Sequence, residues 1–560
     1  MQKLGWDYID IIFFTGDAFV DHPSFGTACI SRYLEKAGYR VAVVPQPNWR
    51  DDLRDFRKLG APRLYFAVNA GAMDSMVNHY TAAKRLRHDD AYTPDGKFGQ
   101  RPDRAVTVYT KILKQLWPDV PVVIGGVEAS LRRLTHYDYW DDRLFPSILV
   151  DSGADWLCYG MGEKTMLELT RAIEAGRNQR QIEKIPQIAF LRKGAWKVED
   201  PLVLNSFEKC CADKKAFAQN FHEIETHANM MHQKVIIEPY GDGYVQVNPS
   251  QPLSTTEEMD SYWDLPFTKL PHPRYKGKRI PAYDMIKDSI ITHRGCFGGC
   301  NFCTIAAHQG KFIQSRSEKS IIDEIRDLTK MKDFHGNISD LGAPTANMYG
   351  MGGTDLSKCA ICRRKSCLFP EPCRNLDRSH TRILELYRKV GAIKGVRHSY
   401  IGSGVRYDLF LTQDGFVDET GKPYLRELML RHTSGRLKVA PEHTEDKVLY
   451  YMAKPSFKLF QRLRKEFDKI NRENGTHTEL VPYFISSHPG CMQSDMEKLA
   501  SNPALRGIWM EQVQDFMPTP MTTSSVMFYS GYDPRTMKPV FVERDPERKK
   551  RQKSFFFKKK

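Results

Sequence analysis

The sequence has no run of eighteen apolar residues, so nothing in it is expected to span a bilayer as a helix. It also lacks a basic leader, a long apolar stretch and a small-residue cleavage site at its start. Met1-Gln2-Lys3-Leu4 leads instead into a short apolar segment, Tyr8 to Phe14, that ends at Thr15-Gly16-Asp17. A signal peptide is therefore not expected, and the reading is a cytoplasmic protein with no membrane partner. No internal repeat is evident. Hydrophobic residues at 41% and charged residues at 27% lie close to the globular average, which excludes global disorder and a fibrous fold. At ~150 residues per domain, 560 residues predict about three to four folding units, or fewer large ones.

The net charge of +15 is unevenly spread. Glu543 to Lys560 holds nine Lys/Arg against three acids, so this tail carries +6 and the remaining 542 residues +9. Such a tail can hold phosphates, but the preferred reading is a solvated, disordered terminus.

Twelve cysteines in a cytoplasmic chain are not expected to be disulfides. Cys29, Cys158, Cys210, Cys211 and Cys491 are scattered. The other seven fall between Cys296 and Cys373, within 78 residues, and that clustering points to metal binding.

The first part of the chain alternates strand-like and helical patterns. Tyr8–Phe14, Val41–Val44, Leu64–Val68, Val120–Ile124 and Trp156–Tyr159 are short β-rich runs bounded by turn residues. Between them lie helices predicted over Ser24–Ala37, capped by Ser24 and ended by Gly38, and over Ala105–Leu116. Alternation of this kind implies a parallel, doubly wound sheet with ligands at its carboxyl ends. There, His22 has two readings, a cobalt ligand or a turn cap, and capping is preferred. Beyond Pro186 the pattern loosens: a hairpin over Ile188–Leu191 and Trp196–Val198, helix near Ser206–Met231, a second hairpin over Val235–Val247, and a Pro-rich linker from Pro266 to Pro281.

Ile286–Thr292 reads as a strand that runs into Arg294-Gly295-Cys296-Phe297-Gly298-Gly299-Cys300-Asn301-Phe302-Cys303. The spacing is Cys-x3-Cys-x2-Cys with an aromatic before the last cysteine. Three thiolates on a glycine-rich loop reach three corners of an iron–sulfur cube. No fourth cysteine completes the motif, so one iron is left open, as reactive sites require.

This motif resembles that of the radical S-adenosylmethionine enzymes. Cys303-Thr304-Ile305-Ala306-Ala307-His308-Gln309-Gly310, Asp340 to Met351, Val439-Ala440-Pro441-Glu442-His443-Thr444 and Gln514 to Pro520 further resemble the YgiQ-type family, over about Trp6 to Lys550. The resemblance implies an N-terminal cobalamin-binding-like domain and a partial (β/α) barrel with the cluster after its first strand, followed by a small C-terminal region. It implies a 4Fe-4S cluster on Cys296, Cys300 and Cys303, with S-adenosylmethionine on the open iron. It also implies a 5′-deoxyadenosyl radical that abstracts hydrogen from a substrate the sequence does not name. The expected partners are a reductant such as flavodoxin or ferredoxin, and an RNA or protein substrate suits the basic surface. Many superfamily members carry Gly-Gly-Glu where this chain has Leu341-Gly342-Ala343, so the contact made by that Glu is missing. The candidate cofactor-contacting residues are Cys296, Cys300, Cys303, Phe302, Gly342 and Arg406, and no catalytic residue is assigned. The cobalamin signature Asp-x-His-x-x-Gly is absent in strict form, since Asp21 and His22 are adjacent and Gly26 comes one residue late. No bound cobalamin is expected.

In the barrel region the expectations are a helix over Ser320–Met331 with Ser320 and Asp323 as a capping box, and strands at Ile338–Leu341, Tyr400–Val405 and Leu437–Val439. Arg406 with Asp408, and Glu442 with His443, would face the barrel mouth or serve as salt-bridged structural residues. A second group, Cys359-x2-Cys362-x4-Cys367-x5-Cys373, reads as a zinc site, an auxiliary cluster or reduced loop thiols. The expected units are a doubly wound domain over 1–205, an irregular connection over 206–280, a radical barrel over 281–510 and a C-terminal extension over 511–560. Two rival functions remain open: a nucleic-acid-binding protein with a structural cluster, and a cobalamin-assisted radical methyltransferase.

Overall fold

The computed structural model describes residues 2–508 and 512–556. The proposed boundary at 510/511 and the terminal residues Phe557–Lys560 lie outside the described residues.

A nine-stranded sheet organises the first half. Its strands are β1 (Ile11–Thr15), β2 (Val41–Pro45), β3 (Tyr65–Asn69), β4 (Val122–Gly125), β5 (Trp156–Cys158), β6 (Ile188–Lys193), β7 (Leu202–Val203), β8 (Ile236–Tyr240) and β9 (Gly243–Val247). The spatial order is β2-β1-β3-β4-β5-β6-β9-β8-β7. The first five strands are parallel; β6, β9 and β8 join antiparallel to their neighbours in turn. Every residue of β1 is buried, because parallel strands are covered on both faces. Ile12 and Phe14 pack against Tyr109 and Leu113 of helix Ala105–Leu116. Ile11 and Phe13 pack on the other face against Leu34 and Leu169 of helices Gly26–Lys36 and Glu163–Glu174. The period-two alternation of β1 thus serves two layers of helices.

Several expectations are corrected. Helix Gly26–Lys36 has Phe25, not Ser24, at its N-cap, and no side chain caps it. The Ser24 amide instead donates to Nδ1 of fully buried His22 at 3.1 Å, so His22 holds the turn. Trp196–Val198 forms no strand; β6 pairs with β9, which supplies a longer apolar partner. The segment expected to be an irregular connection contributes β8 and β9 to the same sheet. The Pro-rich stretch is not a free linker: Tyr275 and Ile280 pack with Ala18, Val20 and Phe25, and Asp21 accepts from the Thr268 amide at 2.9 Å.

In the second half, short parallel strands recur in chain order: β10 (Ser289–Ile291), β11 (Asn337–Ile338), β12 (Asp340–Gly342), β13 (His398–Ser399), β14 (Arg436–Glu442), β15 (Glu479–Ser486) and β16 (Gln512–Asp515). β10 pairs with β12, β11 with β13, and β14, β15 and β16 form one sheet. Helices Glu318–Leu328, Thr381–Gly391, Gly421–Arg431 and Phe457–Asn474 lie between them and bury Ile321, Leu386, Leu425 and Leu463 in one core. Strand β10 begins only at Ser289, because Pro281–Ile286 is helical. Tyr400–Val405 is irregular, the strand lying at His398–Ser399. Ser317, not Ser320, caps helix Glu318–Leu328, accepting from the Ser320 amide at 3.0 Å. The basic tail is docked: helix Pro546–Ser554 buries Gln552, which accepts from the Ser487 amide at 3.0 Å, and Lys549, which donates to Tyr139 at 3.2 Å.

Candidate radical cofactor site

Strand β10 delivers the chain into the cysteine loop, and glycines let it turn there. Gly295 has φ +91°, and a Cβ on it would strike the Phe312 carbonyl. A Cβ on Gly298 would lie 2.5 Å from Arg406 Nη1 and 3.3 Å from Cys296 Sγ. The loop is closed by the Cys296 amide, which donates to Gly310 O at 3.1 Å, and by the Cys303 amide, which donates to Cys300 O at 3.2 Å.

Cys296, Cys300 and Cys303 line one cavity of about 530 Å³, a size suited to a nucleoside-bearing ligand. Its walls come from both halves of the chain: Arg133, Tyr159 and Gln187 from the sheet domain, Met230 and Met231 from the following segment, and Lys365. Burial raises the Cys296 thiol and pushes that of Cys303 up to about 12. Metal ligation is what would release such protons. Among the described residues no three His, Cys, Asp or Glu side chains converge as a single ion requires. A cube of iron and sulfide takes each thiolate at a different iron, and three thiols on one open cavity fit such a cluster.

Arg406 packs against this triad. Its Nη1 stands 3.2 Å from Cys300 Sγ, while Asp408 holds Nε at 3.0 Å and Nη2 at 2.5 Å. The carboxylate beside it raises the guanidinium pKa further, although burial opposes this, so the group stays cationic. Cys296 Sγ lies 3.4 Å from Thr345 Oγ1. Asn347 fixes the Arg406 backbone through two 2.9 Å hydrogen bonds. Arg294 donates to Glu163 at 2.6 Å in a buried pair, and its guanidinium lies 4.5 Å from the Trp263 ring centre. Glu163 opens helix Glu163–Glu174, so this pair ties the cysteine loop to the sheet domain.

The remaining candidates lie apart from the thiols. Gly342 ends β12, where its carbonyl accepts from the Thr292 amide at 2.9 Å. A Cβ there would meet Ser403 Oγ at 2.5 Å. Asp340 does not stand in for the missing Glu: its carboxylate is occupied by the Gly402 and Ser403 amides at 2.9 and 3.1 Å. Phe302 packs edge-on to His488 at 6.2 Å and does not line the cavity. Glu442 pairs with Lys454 at 3.7 Å, whereas neighbouring His443, just past the strand end, faces Cys491 at 3.6 Å. Sequence reasoning missed Glu163 and Lys365, whose partners are distant in the chain. Thr345 and Asn347 fall within a quoted motif, Asp340 to Met351.

A doubly wound sheet joined to parallel βα units, with three thiols on the loop after the first of them, defines an α/β protein of the radical-enzyme class. A family model described as radical SAM N-terminal matches residues 1–289, and one described as a domain of unknown function, DUF3362, matches 511–559. A UPF0313 protein of Bacteroides thetaiotaomicron is 54% identical, covering all of this chain and 92% of the relative. One of Porphyromonas gingivalis is 53% identical over 100% and 89%, and one of Geobacter sulfurreducens 46% over 99% and 90%. The chain belongs to the UPF0313 family of the radical S-adenosylmethionine superfamily, and its cofactors are a 4Fe-4S cluster and S-adenosylmethionine. The fold is also similar to that of TsrM from Kitasatospora setae, a radical S-adenosylmethionine methyltransferase solved with cobalamin and a [4Fe-4S] cluster. There the TM-score is 0.51 at 15% identity, over 93% of this chain and 74% of that one.

Proposed function

We propose that Cys296, Cys300 and Cys303 hold the cluster, that S-adenosylmethionine occupies the cavity beside them, and that β10 to β16 form a partial barrel around it. When bound, the cluster supplies the electron that cleaves the sulfonium into methionine and a 5′-deoxyadenosyl radical, which takes hydrogen from substrate. The chain's own residues bind and shield. Arg406, fixed by Asp408 and Asn347, places a permanent positive charge against the thiolates and offsets their negative charge. Arg294 and Glu163 hold the loop on the sheet domain and close one side of the cavity to water. The electron comes from a flavodoxin- or ferredoxin-type donor, and the substrate is an RNA or a protein reaching the site in the cytoplasm.

The observation that supports this reading is the convergence of three thiols on one cavity, with the Arg406 guanidinium against Cys300. The test is anaerobic reconstitution with iron and sulfide, followed by S-adenosylmethionine and dithionite, with 5′-deoxyadenosine quantified by mass spectrometry. Product that vanishes in Cys300→Ala supports the reading; undiminished product in that variant refutes it.

A second reading, methyl transfer assisted by cobalamin, has one observation in its favour. A smaller cavity of about 100 Å³ opens at the carboxyl ends of β1, β3, β4 and β5, lined by Gly26, Asn69, Gly125 and Gly126. It shares Gly160, Met161, Glu163 and His308 with the larger one. Cobalt retained after incubation with hydroxocobalamin and gel filtration would favour it. His22 is buried with Nδ1 accepting from the Ser24 amide, which speaks against its use as a lower ligand.

A further inference from the structure

Residues 354–375 leave the fold as one excursion whose base is pinned. Gly352 and Gly353 pair antiparallel with Asp377 and Leu376, and the Thr354 amide donates to Asn375 O at 2.8 Å. Within the excursion there is no strand, and its single helix, Leu356–Ala360, buries no residue. Only Ser366 and Leu368 are buried, while Leu356 and Ile361 stand 63% and 73% exposed. Leu368 and Cys367 join a small apolar cluster and Lys365 pairs with Glu225, but the turn around Leu356 and Ile361 has no apolar filling of its own, and such segments gain from a staple.

Four cysteines are placed to be that staple. Cys359, Cys362, Cys367 and Cys373 are shielded from full exposure, and their thiols lie within electrostatic range of one another. The Cys373 amide donates to Cys367 O at 2.7 Å and the Cys362 amide to Cys359 O at 3.2 Å, so each half of the set is folded back on itself. Gly353 carries no side chain where a Cβ would collide with Cys359 Sγ, and Asn375 Nδ2 reaches the same sulfur at 3.4 Å.

Charge argues in the same direction. Lys311 is 3% exposed, and its ammonium reaches Cys362 Sγ at 3.8 Å and the Arg364 carbonyl. Among the described residues no carboxylate pairs with it. A buried cation is costly unless a negative charge faces it, and thiols become negative when a metal takes them.

We infer that Cys359, Cys362, Cys367 and Cys373 ligate a second iron–sulfur cluster, closed by four protein thiolates. A cube accepts ligands spread over separate irons. The second site abuts the first: the Cys367 amide donates to Phe297 O at 3.0 Å, a Cβ on Gly299 would lie 2.7 Å from Ser366 Cβ, and Cys296 and Cys367 pack on one apolar cluster with Phe297 and Leu368. The inference does not depend on what the triad binds, because the two sites are counted separately.

The experiment is metal and sulfide analysis of the full chain after anaerobic reconstitution, for the unsubstituted protein and for Cys296→Ala/Cys300→Ala/Cys303→Ala. The unsubstituted chain is expected to hold about eight irons and eight sulfides, and the triple variant about four of each. Adding Cys367→Ser and Cys373→Ser should remove the remainder. If the triple variant fails to fold, Cys367→Ser/Cys373→Ser in the otherwise unsubstituted chain decides: an iron count equal to that of the unsubstituted protein overturns the inference. One zinc per chain, or a folded triple variant with no iron, overturns it equally.

Discussion

Arg406 Nη1 stands 3.2 Å from Cys300 Sγ while Asp408 grips the opposite edge of the same guanidinium at 3.0 and 2.5 Å. Asp408 is buried and the Arg406 side chain is only 11% exposed, so the arginine exchanges its partners poorly for water. Replacing Arg406 by Met leaves the Asp408 carboxylate buried and unpaired, at a cost of about 3–5 kcal/mol. It also removes the cation facing the thiolates. The expected outcome is a lower urea midpoint and roughly tenfold or greater loss of 5′-deoxyadenosine. Asp408→Asn should keep most of the stability but lose activity, because the arginine is then held less firmly. Equal loss in both properties for both variants would reduce the pair to a structural ion pair.

Gly298→Ala tests the loop directly. Its Cβ would sit 2.5 Å from Arg406 Nη1 and 3.3 Å from Cys296 Sγ. The clash is local, so the circular dichroism spectrum should be unchanged. Formation of 5′-deoxyadenosine should fall roughly tenfold or more, the scale of a barrier raised by about 1.4 kcal/mol. Gly404→Ala, where nothing lies within 4 Å of the new Cβ, is the matched control.

The sequence displays what is local and hides what is not. Helix Ala105–Leu116 has the bounds its periodicity predicts, and the cysteine loop is legible because its three cysteines lie within eight residues. The Arg294–Glu163 pair spans 131 positions, and no spacing rule reaches that far. Trp196–Val198 looks like a hairpin arm, but the partner of β6 is β9, chosen by the sheet and not by the nearest turn. The basic tail reads as solvated because Lys549 and Gln552 find their buried partners, Tyr139 and Ser487, only in the folded chain. Phe302 sits beside Cys303 in sequence, yet loop geometry turns it onto His488.

Stability should fall as pH drops below neutrality. Burial depresses His22, His136 and His488 to about 3, and His380 to about 4, from an ordinary 6.5. Each is neutral in the folded state at a pH where the unfolded chain is protonated. The unfolded state therefore binds more protons below pH 6.5, and stability declines from there toward about pH 4. By pH 5 each histidine contributes roughly 2 kcal/mol of that loss. Asp17, pushed up to about 6, and Glu238, pushed up to about 7, act with the opposite sign, since burial favours their protonated forms. Four histidines outweigh two carboxyls. Urea midpoints measured between pH 7 and 5 should fall steadily; a midpoint that rises on acidification would show that the carboxyls dominate.

The Arg294–Glu163 pair makes the sheet domain part of the radical site, and this can be separated from simple stability. Glu163→Gln keeps a hydrogen-bond acceptor for the guanidinium but removes the charge, whereas Glu163→Ala removes both and opens the cavity wall that Glu163 helps to form. Breaking such a pair from one side costs about 3–5 kcal/mol, so both variants should unfold at lower urea. If the pair also seals the cavity, Glu163→Ala alone should form more 5′-deoxyadenosine with no substrate present, because reductant then reaches the radical and quenches it with an electron and a proton. The rate of 5′-deoxyadenosine formation without added substrate, with the deuterium content of that product in D2O, measures that leak. A rate and deuterium content equal to those of the unsubstituted chain would confine Glu163 to holding the two halves together.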